Sequence, residues 1–365
     1  MRIPASPVRF DPSVERPEED EAETGAELIA TMRKILETTY KDYSHAVRSV
    51  HAKSHGLLQA ELEIPAGLPP VLSQGLFAQP GRYPVVMRFS TNPGDILDDR
   101  VSVPRGLAIK VSGVRGERLP GAAGSSQDFV MVNGPAFLAK SGKAFLKNLK
   151  LLAGTTDKAE GAKIALSAAL RGLEKVVEAV GGESSTLKAL GGHPMTHILG
   201  ESFYSQAPIR FGDYIAKVSV APVSSELLAL TDAPLDLKGH PNGIREAVIE
   251  YFRTHSGVWD LRVQLCTDLE SMPVEDSTKV WSEEESPYLT VGRITAGPQI
   301  SWNEPRRQAV DDAMAFSPWH GLVAHRPLGS IMRLRKATYE SSAQFRSTHN
   351  RCPVHEPELG EQLPN

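Results

Sequence analysis

The feature that most constrains this chain's fold is the regular spacing of turn-forming residues across residues 56–133. Proline, glycine and aspartate recur there at intervals of about 8 to 12 residues, and short apolar runs lie between them, as at 85–89 and 107–111. Strand-like runs return at 214–220 and 258–265. This pattern is typical of successive β-strands, and it predicts a β-barrel or a β-sandwich.

Other stretches have helical character. Residues 25–43 place apolar side chains at helical spacing, among them Leu28, Met32 and Ile35. Residues 137–152 and 158–180 have the composition of helices. Residues 304–350 combine a loop containing proline and glycine with a final helix. We therefore expect an α+β protein in which helices flank the strands.

The chain divides into three predicted parts. Residues 1–24 are rich in proline and acidic residues, and we expect an extended arm that is ordered only against a partner subunit. Residues 25–350 form the predicted folded domain, and residues 351–365 form a tail without regular structure.

Composition excludes several classes of function. A formal net charge of -4 over 365 residues argues against a nucleic-acid-binding surface. The two cysteines, Cys266 and Cys352, have no metal-site spacing and are too few for a disulfide framework. There is no run of about 20 apolar residues and no signal-peptide pattern at the N-terminus, so we expect a cytoplasmic protein without a membrane span.

A tyrosine near the C-terminus has chemistry suited to iron. Arg335 precedes Tyr339 by one helical turn, and Arg346 follows it by two turns. Their positive field would favour the phenolate, which is a good ligand for ferric iron. The alternative is that Tyr339 packs its ring into the core as an ordinary residue of an amphipathic helix.

His51, in the run Arg48-Ser49-Val50-His51, is suited to moving protons near neutral pH. It could instead be a buried structural histidine. His55 lies four residues later, which is the spacing of two zinc ligands on a helix, but the run lacks the glutamate of a zinc protease and no third ligand is evident.

Five runs together carry a resemblance to a known family. They are residues 48–53, 88–91, 105–110, 128–135 and 335–346. In residue type, order and approximate spacing they resemble the haem catalase family. The resemblance covers about residues 44–350, with a poor match at 155–205. It implies a catalase-like antiparallel β-barrel with flanking α-helices.

The resemblance implies a role for each matching residue. Tyr339 would be the iron ligand of haem b, supported by Arg335, and the haem propionates would be bound by Arg48, Arg88 and Arg346. On the opposite side of the haem, the resemblance implies that His51 is the distal acid/base. Ser90 would hydrogen-bond His51, and Asn133 would orient peroxide through its amide.

Two positions depart from the family pattern. Glu340-Ser341-Ser342 replaces the usual Pro-Asp-Thr-like stretch, and Leu138 falls where catalases usually have a phenylalanine over the haem edge. The chain also has little sequence beyond the Tyr339 helix, so we expect no C-terminal region that helps to bind NADPH. These features resemble a compact catalase-related branch, whose members can act as peroxidases or on organic hydroperoxides.

The predicted function is haem-dependent breakdown of hydrogen peroxide or organic hydroperoxides by a homo-oligomer, with an organic electron donor if the protein is a peroxidase. Two alternatives stay open. One is an allene-oxide-synthase-like rearrangement of fatty-acid hydroperoxides. The other is a haem-binding protein without turnover, although a storage protein would have no need of a distal base such as His51.

Overall fold

A computed structural model describes residues 3–4, 6–153 and 193–365. Within these residues, one antiparallel sheet contains nine strands: β1 Ser54–Ile64, β2 Gly81–Thr91, β3 Arg105–Val111, β4 Gln127–Val132, β5 Phe203–Tyr204, β6 Ile209–Phe211, β7 Tyr214–Pro222, β8 Gly257–Leu265 and β9 Leu289–Ala296. The helix predicted at 158–180 lies outside the described residues.

The sheet closes into a barrel. Its strand order is β5-β4-β3-β2-β1-β9-β8-β7, and β5 also pairs with β7, which completes a ring of eight strands. The short strand β6 pairs with β7 beside β5. Closure removes the free edges that an open sheet would expose. The strand pattern alone left a barrel and a sandwich open, the family resemblance implied a barrel, and the structure confirms the barrel.

Alternation along the strands separates the barrel interior from its outer face. On β2, Met87 and Phe89 belong to the main apolar core, whereas Arg88 and Ser90 point the other way. The residue opposite Ser90 on β3 is Gly106. The outer face of β2 to β4 is therefore the surface on which polar side chains of the strands meet the helices.

Six α-helices flank the barrel in the described part of the chain: α1 Glu21–Tyr43, α2 Gly142–Ala153, α3 Ser225–Leu228, α4 Gly243–Phe252, α5 Glu304–Arg307 and α6 Ser330–His349. Leu28 and Met32 on α1 pack with Leu146 on α2 and Leu334 on α6 in one apolar cluster. The α+β prediction is confirmed. No helix within the described residues is long and apolar enough to cross a bilayer.

The N-terminal segment differs from its prediction. Phe10 N donates to Asp213 O at 2.8 Å, and the Glu15 carboxylate pairs with Arg326 at 2.6 Å and Arg333 at 2.8 Å. Helix α1 begins at Glu21, within the stretch expected to be extended. The segment thus packs against its own chain, because its Glu15 carboxylate forms ion pairs with arginines of that chain.

The C-terminal tail contains no helix or strand, but it packs against the rest of the chain. Glu356 reaches the fully buried Lys110 at 2.9 Å, and His355 N donates to Ala313 O at 2.9 Å. Leu363 is buried against the outer face of the barrel. Lys110 also pairs with Asp128 at 2.9 Å, so the tail's glutamate supplies a second carboxylate to this buried lysine.

Candidate active site

A cavity lies between the outer face of strands β2 to β4 and helices α1 and α6. It contains about 650 Å³ of space, the part open to solvent included. Of the eight site residues predicted from the sequence, six line it: His51, Ser90, Arg48, Arg88, Tyr339 and Arg346. The chain thus brings residues from its two ends to one place.

His51 is fixed by its backbone and its ring. Its φ of 55° is in the left-handed region, its N–H donates to Asn92 O at 2.7 Å, and its carbonyl accepts from Arg88 Nη2 at 2.8 Å. Ring atom Nδ1 lies 3.1 Å from Ser90 Oγ. This contact leaves Nε2 as the nitrogen available for proton transfer.

The surroundings keep His51 neutral. Burial, and then the positive charges of Arg88, Arg335 and Arg48, lower the pKa of His51 to about 3. At neutral pH the imidazole therefore carries no positive charge, and one of its ring nitrogens has a free lone pair.

Gly106 makes room for the His51 ring. A Cβ at this position would lie 2.6 Å from His51 Cε1 and Nδ1 and 3.1 Å from Ser90 Oγ. Real side-chain carbons do not approach that closely. Only glycine on β3 therefore lets the imidazole lie against the strand.

Tyr339 reaches the cavity from α6, which also contributes Thr338, Ser342 and Arg346 to its lining. The tyrosine is partly buried and lies outside the apolar core clusters of the described residues. Its place on the cavity wall, facing the strands that hold Ser90 and Gly106, is not that of an ordinary core residue.

Three arginines of the cavity converge on one short segment. Residues 308–312 form a π-helical turn after α5, with Ala313 N donating to Gln308 O at 3.1 Å. Arg48 Nη2 donates to Met314 O at 2.9 Å, and Arg346 Nη1 donates to the carbonyls of Asp311 and Asp312. Carbonyls at the end of a helix lack partners within it, so they are natural acceptors for arginine.

The Asp311 carboxylate lies at the centre of this cluster. It accepts from Arg88 Nε at 2.6 Å, Arg48 Nη1 at 3.3 Å and Ser54 Oγ at 2.6 Å. Although burial opposes ionisation, the charges of Arg88 and Arg48 lower the pKa of Asp311 to about 2. Asp311 was not predicted from the sequence, because a pair of adjacent aspartates forms no recognisable motif.

The structure does not bring Asn133 and Arg335 to the cavity lining. Asn133 Oδ1 accepts from Arg105 N at 2.9 Å, and its Nδ2 contacts His193 and Glu201. The Arg335 guanidinium lies 5.5 Å from the centre of the Phe137 ring. Leu138, predicted at the haem edge, is 44 % exposed and does not line the cavity.

The zinc alternative finds no support. His51 and His55 do not share a helix, since His55 lies on strand β1. Burial in particular lowers the pKa of His55 well below its usual value, and its Nε2 lies 3.1 Å from Thr91 Oγ1. The described residues contain no group of three or more His, Cys, Asp or Glu placed to hold a metal ion.

Comparison with known proteins supports the fold. No protein-family model matches this sequence, and no curated protein does. A solved fungal catalase matches the structure with a TM-score of 0.61 at 19% identity, over 87% of this chain and 63% of its own. The chain has the catalase fold.

Two further catalases agree with this assignment. Catalase A from Saccharomyces cerevisiae matches with a TM-score of 0.60 at 17% identity, over 87% of this chain and 65% of its own. A bacterial catalase matches with a TM-score of 0.56 at 16% identity, over 89% and 64% respectively. The catalase-like chain therefore spans just under two thirds of the length of these catalases.

Proposed function

We propose that this protein binds haem b through Tyr339 and breaks down hydrogen peroxide or an organic hydroperoxide. The observation that carries the proposal is the shared cavity, in which a neutral histidine and a tyrosine lie together with three arginines. The catalase fold supports it, because the solved structures that match are catalases.

The residues present fit an anionic cofactor of this kind. Arg346 is 3 % exposed, and its Nε has no hydrogen-bond partner among the described residues. Buried donors are almost always paired, so an unpaired guanidinium nitrogen in a cavity wall suits an acidic group of a ligand. Arg48, Arg88 and Arg346 would receive the propionates, and the Tyr339 phenolic oxygen would ligate the iron.

Once bound, haem supplies the redox chemistry that cleaves an O–O bond. The chain's own contribution is proton transfer and orientation. His51 Nε2 takes the proton from one peroxide oxygen and returns it to the departing oxygen. Ser90 contacts the opposite ring nitrogen, and Gly106 leaves room for the ring beside the strand, so the imidazole keeps one orientation. Asn133 as the group that orients the substrate stays a prediction.

The test is an absorption titration of the purified protein with ferric haem, for the wild type and for Tyr339→Phe. We expect Tyr339→Phe to lose haem or to change the ferric spectrum, because its only proposed protein ligand has gone. Tyr40→Phe is the matched control: Tyr40 lies on α1 and packs on His349, outside the cavity lining. A Tyr339→Phe spectrum identical to that of the wild type would refute the ligand assignment.

A further inference from the structure

The arginine cluster of the cavity carries more positive charge than its surroundings neutralise. Arg88 and Arg346 are 2 % and 3 % exposed, and the Arg48 side chain is 13 % exposed. The carboxylate that contacts Arg48 and Arg88 is that of Asp311, whose side chain is 12 % exposed. Among the described groups in contact, three guanidinium groups thus surround one carboxylate, an excess of two positive charges.

Like charges buried this close together repel. Burial, followed by repulsion from Arg346 and Arg88, lowers the pKa of Arg48 well below its usual value. Removing one partner from a buried charge pair is strongly destabilising, because the other charge stays desolvated without compensation. Without Asp311, no carboxylate of the described residues would therefore contact these three guanidinium groups.

The neighbouring carboxylate points elsewhere. Asp312 pairs with His45 at 2.9 Å and with Arg307 at 3.0 Å, and its side chain is 6 % exposed. It hydrogen-bonds a cavity arginine through its backbone carbonyl alone, whereas the charge of its carboxylate acts on Arg48 and Arg346 without contact. Two adjacent aspartates, each with a side chain no more than 12 % exposed, thus have different ion-pair partners, which makes Asp312 a matched control for Asp311.

We propose that Asp311 is a built-in counter-ion: it stabilises the buried arginines while the cavity holds no ligand, and it weakens the binding of the anionic ligand that they receive. The residual charge of plus two matches a ligand with two acidic groups. The inference rests on the proposed function in taking that ligand to be a porphyrin dicarboxylate. Asp311 is a positioning residue in this scheme, since it acts through the arginines.

The test compares Asp311→Asn with Asp312→Asn in two measurements. The first is the melting temperature without ligand. The second is the affinity for iron-free protoporphyrin IX and for its uncharged dimethyl ester, followed by fluorescence. Without iron, binding does not depend on ligation by Tyr339.

We expect Asp311→Asn to melt at least ~5 °C below the wild type. It should bind the free acid about tenfold more tightly, because one opposing charge has gone, and bind the ester unchanged. Asp312→Asn should lower the melting temperature without raising affinity for the acid. If Asp311 were only structural, its replacement would lower stability and affinity for the acid together, and that result would overturn the proposal. An Asp311→Asn variant that behaves like Asp312→Asn would also overturn it.

Two further measurements keep the outcome decisive. If Asp311→Asn does not fold, Asp311→Asn and Asp312→Asn are compared in an Arg88→Gln background, where two guanidinium groups repel instead of three. Asp311→Asn must still bind the free acid of the porphyrin more tightly there. If the wild type binds neither porphyrin, the proposed function fails. Pyrophosphate then tests Asp311 alone: it must raise the melting temperature more in the Asp311→Asn variant than in the wild type, and an equal or smaller rise overturns the inference.

Discussion

Gly106→Ala should disable the site while leaving the barrel folded. The added methyl group would lie 2.6 Å from two atoms of the His51 ring, whereas carbon atoms in contact are about 3.5 Å apart or more. The ring must therefore move by about 1 Å. The His51 backbone cannot follow, because its N–H is bonded to Asn92 O at 2.7 Å and its carbonyl to Arg88 at 2.8 Å. The ring would rotate and lose its contact with Ser90.

The expected loss of peroxide turnover is roughly 10²-fold, since a displacement of about 1 Å at a catalytic group can cost that much. Overpacking should also lower the free energy of unfolding by about 1–3 kcal/mol. Turnover is measured as the initial rate of peroxide loss per bound haem, and stability by unfolding in urea. Normalising to bound haem separates a displaced His51 from a failure to bind the cofactor.

Gly297→Ala is the matched control, because a Cβ at Gly297 would meet no atom within 4 Å. This variant should keep wild-type turnover, and its stability should change by less than about 1 kcal/mol. If Gly106→Ala turned over within a few-fold of the wild type at equal haem content, the idea that Gly106 positions His51 would be wrong.

Two further predictions concern histidines. His51→Ala should still bind haem but lose about 10²- to 10⁴-fold in peroxide turnover, the range for a general acid/base; turnover within a few-fold of the wild type would remove His51 from the mechanism. His325 is 1 % exposed and accepts from Leu76 N at 2.9 Å, and burial lowers its pKa from 6.5 to about 4. The unfolded state therefore binds a proton that the folded state does not, so stability is lost as pH falls from about 6.5 to about 4. Between pH 7 and pH 5, the free energy of unfolding in urea should fall by about 2 kcal/mol less for His325→Gln than for the wild type. An equal fall in both proteins would contradict this assignment.

Local patterns located several of the strands and helices. The four strand-like runs at 85–89, 107–111, 214–220 and 258–265 all lie within strands of the barrel, and the helix predicted at 25–43 lies within α1. Period-two alternation and helical spacing are properties of neighbouring residues, so they can be seen in the chain itself. Helix boundaries were less accurate: α2 begins at Gly142 rather than near residue 137.

The terminal segments show where local patterns fail. A stretch rich in charge and proline predicts no core of its own, and this is what residues 6–20 and 351–365 share. Their order comes from partners far away in sequence, such as Arg333 for Glu15 and Lys110 for Glu356. No window of neighbouring residues contains those partners.

The sequence by itself determined which residues have the chemistry for the site, because the types and spacings of Arg48, His51, Ser90, Tyr339 and Arg346 can be seen without a structure. Only the tertiary structure decided which of the predicted residues share a cavity, and it left Asn133 and Arg335 outside the lining. It also revealed Gly106 and Asp311, whose roles depend on contacts with residues distant in sequence. Gly106 lies 55 positions from His51, and Asp311 lies 223 positions from Arg88. The absent side chain of Gly106 and the carboxylate of Asp311 have roles only through the atoms that surround them, and folding brings those atoms together.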